Sequence, residues 1–168
     1  IPGLFLLTAP ARPHGRPVTE IQMADLLREV RRRFDFCLLD APAGLGRGFQ
    51  LATCAADRCV VVTTADASSL RDAQHTVMEL DRFPSGALHL VVNRVRKKLL
   101  RQLHATIDDA IDKAGLPLLG VVPEDDALPL CMNRGVPILL ADGQSAATAY
   151  RNIAKRLQGE RVPLLRIR

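Results

Sequence analysis

The chain has 168 residues, which suits a single domain with a substantial hydrophobic core. Apolar residues make up 48% of it and charged residues 24%, as in soluble globular proteins, and the net charge is +5. With no Trp and one Tyr, the composition argues against stacking of single-stranded nucleic acid on aromatic side chains. No apolar run is long enough to span a bilayer. The four cysteines lack metal-binding spacing, and their pattern favours a reducing cytoplasm.

Strands and helices are predicted to alternate along the chain. The predicted strands are residues 3–8, 35–40, 58–64, 87–93 and 118–122. The predicted helices are residues 20–33, 49–55, 68–82, 99–114, 125–134 and 145–158, and the first of these begins at a Thr19 N-cap with Gln22 in the capping-box position. This alternation predicts an α/β fold with three layers, in which a doubly wound, mostly parallel sheet carries helices on both faces.

Polar residues at the ends of the strands mark the expected ligand-binding edge. In parallel α/β sheets, ligands bind outside the carboxyl ends of the strands. Small polar or acidic residues occupy these ends here: Thr8, Asp40, Thr63, Thr64, Asn93 and the segment Pro123-Glu124-Asp125. The sequence therefore predicts a ligand along this edge.

The segment Asp40-Ala41-Pro42-Ala43-Gly44 is the first candidate site. A carboxylate at a strand end can hold magnesium through water, and Gly44 leaves a backbone N–H accessible to a phosphate. Asp also caps turns, and the spacing alone leaves both interpretations open. Gly44, Gly46 and Gly48, with Asp66 roughly 20 residues further on, superficially resemble a dinucleotide-binding fingerprint. The third glycine comes one residue too early for that fingerprint, which argues against it.

Two further segments are candidates for recognition. The Asn93 amide both donates and accepts hydrogen bonds, so it can recognise the edge of an adenine, and Pro123-Glu124-Asp125 is expected beside it. Asn also favours turns, and acidic residues suit the first turn of a helix. The segment Ser68-Ser69-Leu70-Arg71-Asp72 is either a capped, solvated helix start or a contact surface beside a nucleotide.

Together and in this order, these segments resemble the MinD/ParA family of deviant-Walker ATPases, with the strongest similarity to the MinD branch. Each segment is weak alone, but their co-occurrence is highly specific and covers nearly the whole chain. The segments are 34–44, 56–64, 68–72, 92–94, 119–125 and 133–137.

The resemblance implies that residues 1–168 are the C-terminal two thirds of one P-loop ATPase domain, with the N-terminal strands missing. It places Asp40 in the magnesium and water shell as the catalytic residue, and implies ATP/ADP and Mg²⁺ as cofactors. The implied nucleotide-binding residues are Pro42, Gly44, Asn93, Pro123, Glu124 and Asp125. The implied dimer or partner surface is formed by Ser68, Arg71 and Asp72.

The resemblance also implies an ATP-dependent switch. A MinD-like protein forms an ATP-dependent homodimer, binds cell-division regulator proteins and positions the division septum. It is cytoplasmic, with peripheral contact at the inner face of the cell membrane. A ParA-type partition ATPase and a flagellar-number ATPase are the alternatives within the family. The basic segment Arg94-Val95-Arg96-Lys97-Lys98 keeps DNA as a less favoured partner.

The phosphate loop of the family, G-x-x-x-x-G-K-[ST], is not found in the 168 residues. We expect it upstream of residue 1, and without the Walker A lysine the chain as given should not hydrolyse ATP alone. A non-hydrolysing scaffold that binds partners through Ser68–Asp72 is therefore an alternative function. The C-terminal segment Leu164–Arg168 is too short for the amphipathic membrane-targeting helix of the MinD branch.

Overall fold

The computed structural model describes residues 3–8, 17–102, 106–141 and 145–165. The chain divides into two compact units, Ile1–Ala56 and Asp57–Arg168. In the first unit the helices are α1 (Glu20–Arg31) and α2 (Arg47–Thr53). In the second unit the elements are β1 (Cys59–Thr63), α3 (Ala67–Met78), β2 (Leu88–Val95), α4 (Lys97–Gln102), α5 (Ile107–Ala114), β3 (Leu118–Pro123), α6 (Ala127–Asn133), a 3₁₀ turn (Ile138–Leu140) and α7 (Ser145–Leu157).

Helix α1 begins at the predicted capping box. The Gln22 N–H donates to Thr19 Oγ1 at 3.2 Å, and the Thr19 N–H donates to Gln22 Oε1 at 3.0 Å. Two orphan backbone donors at the start of the helix are thereby satisfied. Helix α1 packs against α2, and the Arg47 guanidinium at the start of α2 donates to the Val18 carbonyl at 2.6 Å.

The predicted strands at 3–8 and 35–40 are wrong for the described first unit. Both segments lack strand pairing there, and their apolar side chains are exposed, with Leu6 at 87% and Leu38 at 88%. A strand exists only through hydrogen bonds to a neighbouring strand, and an apolar pattern cannot supply that neighbour. Phe5 and Phe34 form an edge-to-face ring pair with centroids 5.3 Å apart.

The second unit contains a parallel sheet in the order β1-β2-β3. Val61 lies opposite Leu90 and Thr63 opposite Val92, and all four side chains are buried. Helices α3 and α5 pack against each other and cover the face of the sheet that carries these four side chains. Val62 of β1 points to the other face and is exposed. Helix α7 packs on the opposite face, so the second unit has the predicted three layers.

Small residues bring α7 close to the sheet. Ala146, Ala147 and Ala149 are buried against β2 and β3 in one hydrophobic cluster. A Cβ added at Gly120 of β3 would lie 2.4 Å from Ile153 Cγ1. Gly120 therefore permits the close contact between β3 and α7.

The single helix predicted at 99–114 is wrong. The structure has α4 and α5 instead, and residues 103–105 lie outside the described part of the chain. Helix α5 begins at a second capping box, in which the Asp109 N–H donates to Thr106 Oγ1 at 3.0 Å and the Thr106 N–H donates to Asp109 Oδ2 at 2.6 Å. The end predicted at Gly115 is confirmed, because this C-cap adopts a left-handed φ of 65°.

None of the helices in the described ranges is long and apolar enough to cross a membrane.

The N-cap of α3 is a compact polar cluster. The hydroxyls of Thr64 and Ser69 donate to Asp66 Oδ2 at 2.5 and 2.8 Å, and the Ser69 N–H donates to Asp66 Oδ1 at 3.0 Å. The Thr64 hydroxyl, followed by the Ser69 groups, lowers the pKa of Asp66 from 3.8 to about 2. The ionised form of Asp66 thus caps the helix.

This cluster predicts a specific acid dependence of stability. The folded state binds the Asp66 proton more weakly than the unfolded state, so the stabilisation from ionised Asp66 is complete above pH 3.8 and is lost as the pH falls towards 2. Asn caps helices as well as Asp but does not titrate, so the free-energy difference between wild type and D66N should change only within this window. Urea denaturation of both proteins between these pH values and neutrality measures it, and parallel pH profiles would contradict it.

Candidate functional site

The loop after residue 40 packs tightly onto the start of α2. A Cβ added at Gly48 would lie 2.4 Å from Pro42 Cγ and 3.1 Å from Pro42 Cδ, so a side chain at this position would push against the proline ring. Gly44 has a φ of 85°, a left-handed conformation that favours glycine. Pro42, Gly44 and Gly48 together fix the path of this loop. No sequence pattern predicts the contact between Gly48 and Pro42.

Asp40 lies exposed at the start of this loop. Within the described residues its carboxylate makes no hydrogen bond or ion pair, and no group of three or more His, Cys, Asp or Glu side chains is arranged to hold a metal. Magnesium in nucleotide sites takes only one or two carboxylates, with water and phosphate oxygens as its other ligands. Asp40 therefore fits a magnesium ion that arrives with a nucleotide, and does not fit a metal cage made by protein alone.

In the second unit, the predicted polar residues do share one edge of the sheet. Because β1, β2 and β3 are parallel, Thr63 and Thr64, Asn93, and Pro123 lie at the carboxyl ends of adjacent strands. The Glu124 N–H donates to the Val95 carbonyl at 3.0 Å, which joins the ends of β2 and β3. Thr8 and Asp40 belong to the first unit.

The Glu124 carboxylate is held by two arginines of β2 and its following turn. Arg94 Nε and Nη2 lie 3.3 and 3.4 Å from Glu124 Oε2 and Oε1, and Arg96 Nη2 lies 3.3 Å from Oε1. The hydrogen bond from Arg94 is the largest cause that holds the pKa of Glu124 below its usual value. The Glu124 carboxylate is therefore engaged by protein groups, and the Glu124 backbone lies at the carboxyl end of β3.

Asp125 is also engaged with protein groups. Its carboxylate accepts hydrogen bonds from the Ala127 N–H at 3.1 Å, the Ala146 N–H at 3.1 Å and the Ser145 hydroxyl at 3.3 Å. Burial raises the pKa of Asp125, but these hydrogen bonds together outweigh it and lower the pKa below its usual value. Asp125 thus joins the start of α6 to the start of α7.

The predicted partner surface lies on the outer side of α3. Ser68, Arg71 and Asp72 are exposed, whereas Leu70 and Ala73 of the same helix are buried. The structure therefore brings these three residues together on one solvent-facing surface.

A shallow depression of about 250 Å³ lies in the first unit between α1 and the end of α2. It is lined by Ala24, Leu27, Arg28, Arg31, Ala55 and Ala56. No predicted site residue lines it, so the strand-end residues remain the better candidates.

Known proteins match most of this chain. The family model described as cellulose biosynthesis protein BcsQ matches residues 12–157. The septum site-determining protein MinD of Bacillus subtilis is 35% identical over 163 residues, covering 96% of this chain and 61% of that protein. MinD of Synechocystis sp. is 32% identical over 168 residues, covering 98% of this chain and 63% of that protein.

Solved structures give the same result. The MinD cell division protein of Aquifex aeolicus matches with a TM-score of 0.82 at 30% identity, covering 89% of this chain and 64% of that chain. The MinC:MinD complex from the same organism also matches with a TM-score of 0.82 at 30% identity, over 89% of this chain and 63% of that chain. The present chain thus spans less than two thirds of the length of each of these relatives.

Proposed function

Because the chain belongs to the ParA/MinD family of P-loop ATPases, we propose that it acts as a MinD-like, ATP-dependent dimerisation switch in division-septum placement. The observation that carries the proposal is the similarity to septum site-determining proteins at 32% and 35% identity over nearly the whole chain. Fold similarity alone would not support it, since one fold hosts many functions.

In this proposal the segment from Asp40 to Gly44 acts on the phosphates. Asp40 holds magnesium through water and orients the attacking water, while Pro42 and Gly44 shape the loop that approaches the last phosphate. Magnesium, when bound with a nucleotide, neutralises charge that develops on the phosphate oxygens. The Asp40 carboxylate, which is exposed and makes no hydrogen bond to the part of the chain that the structure describes, and the left-handed Gly44 support these assignments.

The residues proposed to recognise the base follow the ends of β2 and β3. Asn93 supplies its side-chain amide, and the segment Pro123-Glu124-Asp125 borders the adenine. Since the carboxylates of Glu124 and Asp125 are held by protein groups, we assign their contribution to the backbone. Without the nucleotide these strand ends would remain hydrated.

The proposed partners follow from the relatives. Ser68, Arg71 and Asp72 on α3 contact the second subunit or a cell-division regulator, because the MinD of Aquifex aeolicus has been solved in complex with MinC. Peripheral contact with the inner face of the cell membrane and DNA contact through residues 94–98 are the less favoured proposals.

The match to the BcsQ family model favours a second candidate function, in cellulose biosynthesis. The two candidates share the ATPase switch and differ in the process that it controls. Deletion of the gene in the source organism separates them, since misplaced septa support the first candidate and loss of cellulose with normal septa supports the second.

The biochemical test uses the natural full-length polypeptide that contains residues 1–168. We expect magnesium-dependent ATP hydrolysis, and a shift from monomer to dimer in light scattering when ADP is replaced by ATP. Binding of partners without any ATP binding or turnover would instead support the non-hydrolysing scaffold. Turnover without dimerisation would contradict the switch and retain the ATPase.

A further inference from the structure

Strand β2 contains a bulge at Asn93 and Arg94. Val92 pairs with Val121 and Val95 with Pro123, so Asn93 and Arg94 together face the single residue Val122. An extra residue on one strand disrupts the ladder locally and turns side chains in new directions, often beside active sites. The bulge lies at the carboxyl end of the strand, where Asn93 is proposed to meet the base.

Arg94 adopts an unfavourable backbone conformation at this bulge. Its φ is 53°, and among the described residues it alone combines a side chain with a positive φ. Left-handed backbone crowds a Cβ, so Arg keeps this conformation only when surrounding contacts impose it. Such outliers cluster at functional sites, and they require an explanation from the contacts that hold them.

The contacts that hold Arg94 run to Glu124 on the neighbouring strand end. Two guanidinium nitrogens of Arg94 face the two carboxylate oxygens of Glu124, at 3.3 and 3.4 Å, as a fork. Arg96 binds the same carboxylate at 3.3 Å. A fork restricts orientation more than a single ion pair does, because both oxygens are engaged in one plane.

The bulge also orients Asn93. The Arg94 N–H donates to Asn93 Oδ1 at 2.9 Å, and the Asn93 NH₂ has no hydrogen-bond partner in the described parts of the chain. One lone pair of this carbonyl oxygen is thus engaged by the backbone of Arg94. The second lone pair and the NH₂ group are left for a ligand, so the amide can accept from N6 and donate to N7 of adenine, whereas guanine carries an acceptor at position 6.

We propose that Arg94 is a positioning residue for base selectivity, whose fork with Glu124 locks the bulge so that Asn93 presents its amide to adenine. This inference rests on the proposed function. Arg94 does not itself contact the base in this proposal. Its side chain is 66% exposed, so the ion pair contributes little to stability, and its effect should appear in selectivity instead.

The test measures the dissociation constants of ATP and GTP for the full-length protein by calorimetry. R94G is the sharpest variant, because Gly accepts the left-handed backbone while the fork is removed. We expect R94G to melt at the wild-type temperature or above. Its preference for ATP over GTP, expressed as the ratio of the two dissociation constants, should fall about 10-fold. R94Q and E124Q should lose as much, and the double variant R94Q/E124Q no more than either. K98Q removes one positive charge from the same segment and should keep the full preference.

The outcomes distinguish the positioning role of Arg94 from the proposed ATP-dependent function. If the wild-type protein shows no preference for ATP, both hypotheses are wrong. If it prefers ATP and R94G or R94Q retains that preference, only the positioning role falls. Equal losses in R94Q and K98Q, or additive losses in the double variant, would also overturn it, because they indicate a general effect of charge.

Discussion

Replacement of Asp40 by Ala should reduce magnesium-dependent ATP turnover of the full-length protein by at least about 100-fold. The carboxylate is exposed and makes no hydrogen bond within the described residues, so its removal should leave the melting temperature unchanged. Activity is measured as steady-state phosphate release, with magnesium titrated at saturating ATP. We expect a weaker apparent affinity for magnesium as well as a lower maximal rate.

Asp35 supplies the matched control. It is also an exposed carboxylate, and it lies in the same non-helical stretch between α1 and α2. D35A should therefore retain wild-type turnover. D40N keeps a hydrogen-bonding side chain without the charge, and it should be as inactive as D40A if magnesium is the target. Full turnover in D40A would remove Asp40 from the mechanism, and equal losses in D35A and D40A would point to a general effect of surface charge.

The second unit was largely predictable because its signals are local. Strands β1, β2 and β3 have apolar runs bounded by polar residues, and α5 carries capping residues at the correct spacing. The Thr106 capping box was available in the sequence and would have divided the helix predicted at 99–114. The segments 3–8 and 35–40 have the same apolar character as the true strands. Their pairing depends on a neighbour, which no local pattern reveals.

The candidate site was predictable as a set of positions but not as a set of contacts. Asn93, Glu124 and Asp125 were expected at the sheet edge, and the structure of the second unit has them there. The hydrogen bonds that Arg94 donates to Glu124 and that the Ala146 N–H donates to Asp125 join residues far apart in sequence, so composition and spacing cannot predict them. Nor did an Arg with a left-handed backbone follow from any propensity, because such positions favour Gly and Asn.

The contacts of Asp125 lead to the largest expected effect on stability. D125A would remove three hydrogen bonds to a charged acceptor and leave the buried Ala146 N–H without its partner. We expect a loss of about 2–3 kcal/mol in the free energy of unfolding. For a chain of this size this corresponds to roughly 5–10 °C in melting temperature, measured by calorimetry or circular dichroism.

The neighbouring residue Asp126 makes a close control. It is the N-cap of α6 but its side chain makes no capping hydrogen bond, so D126A should change the free energy of unfolding by less than about 0.5 kcal/mol. The folded-state pKa of Asp125 is depressed, so its contribution is present above the ordinary value of 3.8 and is lost as the pH falls through the folded value. The wild-type and D125A melting temperatures should therefore converge in acid, whereas wild type and D126A should stay together throughout. If D125A and D126A are equally destabilised at neutral pH, the cause is the loss of a negative charge, and the hydrogen bonds that join α6 to α7 do not account for it.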